Sequence, residues 1–116
     1  MTPDDLKKRT RAFAIAVMDA VETLPANRKG RILGDQLFRA ATSVGANYRA
    51  ACKARSRAEF MAKIGIVEEE ADECQYWLEL LDDAGLGDEA VIADLAREAR
   101  ELTAIMAASR KSARRG

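Results

Sequence analysis

Residues 60–81, FMAKIGIVEEEADECQYWLELL, decide how this chain folds. Within them Phe60, Ile64, Val67, Ala71, Cys74, Leu78 and Leu81 recur at alternating intervals of four and three. Such spacing puts every apolar side chain on one stripe of a helix. Sustained over about three heptads, the stripe is the seam of a bundle helix that packs against its neighbours at a shallow angle. Both ends of the segment are marked. Ser56 followed by Glu59 forms a capping box ahead of it, and Gly85 stands where a helix C-cap favours glycine.

The same reading extends outward to three further helices. The first is expected from Pro3 to Leu24, with Thr2 as cap, Pro3 in the first position and Asp4 and Asp5 at the positive dipole end. Its stripe is Leu6, Phe13, Val17, Ala20, Val21 and Leu24, and PANRKGR then breaks it. The second is expected from about Ile32 to Ala54, on Leu33, Leu37, Ala40, Ala41, Val44, Tyr48 and Ala51. The fourth starts after Asp88 and buries Ile92, Leu95, Ala99, Leu102 and Met106. Short connections make sequential helices antiparallel, so the fold class is all-α, an up-and-down four-helix bundle. The spacing predicts one domain over residues 1–109, followed by a basic, flexible tail over 110–116.

Composition narrows the chemistry sharply. The 116 residues contain no histidine, which removes the commonest general base and the usual Zn and Fe ligand together. Bundles that hold two metal ions rely on Glu-x-x-His pairs, so that arrangement is absent too. The carboxylates of EEEADE, residues 68–73, read better as a solvated or ion-paired helix face than as a metal cage. Cys52 and Cys74 lie about 14 positions out of register in an antiparallel pair, roughly 20 Å apart, too far for a disulfide. They read as small core residues. No glycine-rich phosphate loop and no serine with a partner base occur, so neither a catalyst nor a cofactor is expected. No apolar run approaches the ~20 residues that span a bilayer. Without an apolar leader in MTPDDLKKRT, a cytoplasmic location with reduced thiols is expected.

Charge is balanced overall but not along the chain. Residues 1–57 hold 12 Lys/Arg against 5 Asp/Glu, while residues 58–116 hold 7 against 14. The basic segments mark Lys7, Lys8, Arg9, Arg11, Arg28, Lys29, Arg31, Arg110, Lys111, Arg114 and Arg115 as candidates for nucleic-acid contact. With few aromatic residues to stack on bases, any such binding should be phosphate-directed and salt-sensitive.

Two helix flanks carry more than a lone bundle needs. Ile66, Glu70, Glu73, Trp77 and Leu80 gather beside the seam of the third helix, mixing aromatic, aliphatic and acidic character. On the second helix, Phe38, Arg39 and Arg49 flank a face of small residues that includes Ser43, Ala46 and Ala50. These flanks are candidate surfaces for self-association, with the arginines pairing to carboxylates of the third helix at home or on a neighbour. Gly45, inside a helix where it costs about 1 kcal/mol relative to Ala, asks for a packing reason.

Residues 33–86 as a whole resemble the 23S rRNA intervening-sequence proteins. The specific run is Gln36-Leu37-x-Arg39-Ala40-Ala41-Thr42-Ser43-Val44-x-Ala46-Asn47-Tyr48-Arg49. Phe60-x-x-Lys63 and Glu70-x-x-Glu73-x-x-Tyr76-Trp77-Leu78 follow where that family has its corresponding segments; Cys74 departs from its more usual threonine. The resemblance implies a four-helix bundle assembling as a homopentameric ring with a central pore. Relatives of the family include the accessory protein of diversity-generating retroelements, which implies RNA or a reverse-transcriptase-type protein as partner besides the chain itself. Residues and resemblance together lead to a non-enzymatic homo-oligomer that binds RNA or a nucleic acid–protein complex through basic surfaces. The alternative is a protein-interaction scaffold that binds no nucleic acid.

Overall fold

The computed structural model describes residues 1–115 and contains four helices: α1 (Pro3–Glu22), α2 (Arg28–Ala51), α3 (Arg57–Asp83) and α4 (Glu89–Arg115). Each helix packs on the next, and α4 closes back on α1, while the diagonal pairs α1/α3 and α2/α4 do not adjoin. That is an antiparallel up-and-down bundle, 47 × 20 × 18 Å, with the α1–α4 side the most open. Among the described residues no helix is long and apolar enough to cross a membrane.

The seam of α3 behaves as its spacing predicts. Ile64, Val67, Ala71, Cys74, Leu78 and Leu81 are buried, and Phe60 packs at the edge of the core. Facing it are Leu37, Ala40, Ala41, Val44, Tyr48 and Ala51 of α2, with Phe13 and Val17 of α1 and Leu102 and Met106 of α4. The caps follow the sequence as well. Thr2 and Asp5 form a reciprocal box, Thr2 N–H donating to the Asp5 carboxylate at 2.9 Å and Asp5 N–H to the Thr2 hydroxyl at 3.1 Å. Ser56 accepts from Glu59 N–H at 3.1 Å, and Asp88 accepts from Val91 N–H at 3.0 Å. Gly85, at φ 67°, closes α3 in a Schellman arrangement: Leu86 N–H donates to Leu81 O and Gly85 N–H to Asp82 O.

Two expectations need correction. First, α2 begins at Arg28, a turn before Ile32, and ends at Ala51. Gly30 looks like a breaker in sequence, yet it sits inside the first turn and donates its N–H to the capping Asn27 side chain. Its missing side chain makes room for the Pro25 carbonyl, which a Cβ there would meet at 2.1 Å. Second, α4 stays helical through Arg115, so the basic segment after residue 109 continues the helix; Gly116, the end of the expected tail, lies outside the described residues. One polar residue, Thr10, is also buried. Its hydroxyl donates to Leu6 O at 2.8 Å, so the helix itself satisfies the group.

Candidate nucleic-acid interface

Antiparallel pairing of α1 with α2 sets the start of α1 beside the end of α2, with Thr10 against Gly45. The outer flanks of the pair enclose a groove of about 410 Å³. Lys7, Lys8, Arg11 and Ala14 line it from α1, and Thr42, Gly45, Ala46 and Arg49 from α2. The floor is small and apolar, the lips are cationic, and no carboxylate lines it. Lys7 reaches Asp4 only at 3.9 Å, an exposed pair worth little. Among the described residues Lys8, Arg11 and Arg49 enter no ion pair at all. Thr42 is engaged locally, donating to Phe38 O at 2.9 Å. Four like charges on one shallow trough create a positive potential that a polyanion relieves.

The remaining basic candidates divide by position. Arg9 points the other way, toward α4, where it grips Glu98 through two hydrogen bonds of 2.8 and 2.6 Å and touches Glu101 at 3.4 Å. The hydrogen bond to Glu98 holds its guanidinium charged above the ordinary range. Arg110 is likewise committed, donating to both oxygens of Glu68 at 2.8 and 3.3 Å. Lys111, Arg114 and Arg115 lie exposed on the last turns of α4, at the same end of the bundle as the groove. Arg28, Lys29 and Arg31 begin α2 at the opposite end, about 30 Å from Arg49 along the helix. Arg31 there donates to Ala26 O. The eleven candidates therefore form a groove, an exposed helix end and a distant cluster, with Arg9 and Arg110 spent on internal carboxylates.

The self-association candidates also fall on two flanks. Arg39 donates to Glu70 at 3.0 Å and to Glu73, which ties α2 to α3 within one chain. Ile66 stands 44% exposed beside this pairing, with Leu80 and Trp77 half-buried on the same flank of α3. Trp77 packs partly against the core and meets Tyr76 edge-on at 5.2 Å, but its indole N–H is buried with no partner. Phe38, 39% exposed, shares the α1-facing stripe of α2 with Arg49, three turns away. Arg49 thus joins the cationic groove instead of pairing with α3.

The acidic run and the thiols have structural roles. Glu68, Glu70 and Glu73 are ion-paired to Arg110 and Arg39, while Glu69 and Asp72 face outward. Both cysteines are free; burial pushes the Cys74 thiol up to about 12. Sequence reasoning missed Arg49 as a member of the cationic set. The signal that would have found it is the α1–α2 register, which sets residues 7–11 level with 45–49.

Comparison with known proteins agrees with the helical frame. A crystal structure of a protein of unknown function from the S23 ribosomal protein family of Bacteroides thetaiotaomicron VPI-5482 superposes with a TM-score of 0.87. The two share 30% identity, over 96% of this chain and 99% of that one. No functionally curated protein matches. The family model of the 23S rRNA-intervening sequence proteins matches residues 4–108, nearly the whole bundle. With the whole α3 seam and the Arg9–Glu98 and Arg39–Glu70 pairs inside the matched span, this chain belongs to the 23S rRNA-intervening sequence protein family.

Proposed function

We propose that the protein is a non-enzymatic, self-associating helical bundle of the cytoplasm that binds RNA, or an RNA–protein complex, through the α1–α2 groove and the adjoining end of α4. One observation carries this reading. Lys7, Lys8, Arg11 and Arg49, from two separate segments, converge on a trough that no carboxylate lines. Dispersed neutralisation elsewhere makes the convergence more telling, because Arg9, Arg39 and Arg110 are all paired internally. Contacts of this kind recognise phosphates and not bases, since the groove offers no aromatic side chain for stacking. Self-association would use the α2–α3 flank around Ile66, Trp77 and Leu80, and the family resemblance suggests five copies in a ring. A reverse-transcriptase-type protein is the partner the resemblance suggests beyond RNA.

A protein-interaction scaffold is the second reading. Ile32 and Ile66, 50% and 44% exposed, favour apolar contact with another protein, and the chain's charges cancel. Fluorescence anisotropy with a structured RNA at two salt concentrations separates the two. Retention at low salt that falls steeply as salt rises supports RNA binding; no retention at low salt leaves the scaffold.

A further inference from the structure

A glycine in mid-helix costs about 1 kcal/mol relative to alanine. The chain bears that cost at Gly65 of α3 with nothing packed on it, so Gly45 is singled out by its place in the groove together with its lack of an intrachain constraint. Gly34 has such a constraint: a Cβ there would press on Leu24 and Val21 at 3.1 and 3.2 Å. Gly45 has none of that force. A Cβ at position 45 would meet the Thr10 hydroxyl at 3.4 Å and Thr10 Cβ at 3.6 Å, ordinary van der Waals contact. Intrachain packing therefore tolerates alanine at a site where the sequence holds glycine. Gly45 also lies in the floor of the cationic groove, with Lys7, Lys8 and Arg11 on one lip and Arg49 on the other.

We propose that Gly45 is a ligand-facing position, bare so that an RNA sugar–phosphate backbone seats deep enough for both lips to reach its phosphates. The inference rests on the RNA-binding reading and adds a residue to it that carries no charge. Its contribution is depth. Helix-interior amides are already hydrogen-bonded along the helix, so Gly45 supplies no donor, only close approach. A methyl group there lifts the strand away from the lips, and a charge-assisted contact to phosphate weakens quickly with distance. A polyanion fits the trough better than an acidic flank of a second copy does. Of the acidic run of α3, Glu68, Glu70 and Glu73 are already held by Arg110 and Arg39, which leaves Glu69 and Asp72 facing outward, two charges against the four cations of the groove.

The test uses the full chain with Gly45→Ala and Gly45→Leu, a fluorescein-labelled RNA hairpin at low salt, thermal unfolding, and mass in solution. The expected result is an unfolding midpoint at or above wild type for Gly45→Ala, several-fold weaker RNA binding for it, and at least tenfold weaker binding for Gly45→Leu. If Gly45→Leu fails to fold, Gly45→Ala decides alone. Wild-type RNA affinity in folded variants overturns the proposal while leaving the RNA reading intact. Failure of the wild type to bind the hairpin overturns both. Unchanged RNA binding with an altered mass assigns the groove to a second copy and overturns the proposal as well.

Discussion

Gly65 and Gly30 allow one chemical change to be tested with opposite expected signs. Gly65 lies in the interior of α3, and a Cβ added there meets nothing within 4 Å. Alanine at that position gains helix propensity and narrows the unfolded ensemble without a clash, worth about 0.8–1 kcal/mol. For a chain of this length that raises the thermal midpoint by about 4 °C. At Gly30 the same methyl would lie 2.1 Å from Pro25 O and 3.1 Å from its carbonyl carbon, both backbone atoms that cannot rotate aside. The α1–α2 turn must shift and strain the Asn27 cap, at a cost of about 1–3 kcal/mol. Gly30→Ala should therefore lower the midpoint by about 4–12 °C. Thermal and urea unfolding followed by circular dichroism, at two protein concentrations, reads both changes. A Gly65→Ala variant less stable than wild type would refute the argument, because it would mean that the open side of α3 is covered. A Gly30→Ala variant as stable as wild type would refute the packing of the turn.

Two further outcomes follow from other parts of the molecule. Ile66→Asp should reduce the mass in solution to that of the monomer while changing subunit stability by no more than about 0.5 kcal/mol, because the side chain is half exposed. Sedimentation with parallel unfolding checks this, and an unchanged mass would remove the α2–α3 flank as an interface. Cys74 should resist alkylation in the native protein at mildly alkaline pH and react once urea unfolds the chain. Folding raises its thiol from an ordinary 9.0 to about 12, so this group's contribution to stability is intact below pH 9 and is lost as pH rises through 12. Native labelling as fast as in urea would place Cys74 outside the core.

How much of the fold and site is legible in the sequence depends on how local each signal is. The α3 seam, the Thr2, Ser56 and Asp88 caps and the Gly85 terminus are properties of neighbouring residues, and they reappear in the structure. The start of α2 was ambiguous because a glycine after a proline suits either a breaker or a tight first turn; only the Pro25 carbonyl decides. Thr10 reads as polar, yet its hydroxyl bonds its own helix and the core accepts it. The site was harder to read. Arg9 and Lys8 are adjacent in sequence and point to different helices, one toward Glu98 and one into the groove. Their separation, and the arrival of Arg49 beside Lys7, depend on inter-helix register, which no single segment encodes.

The proposed function places RNA at the groove end and not on basic residues in general. Anisotropy of a labelled RNA hairpin between about 50 and 200 mM salt tests it most directly, comparing wild type with Lys8→Gln/Arg11→Gln and Arg28→Gln/Lys29→Gln. Four phosphate contacts imply a loss of affinity of about 50- to 150-fold across that range for wild type. Removing two groove cations should reduce the log–log salt slope by about 1.4–1.8, while the pair at the far end of α2 leaves it unchanged. Equal losses from both pairs, or binding that ignores salt, would contradict the account.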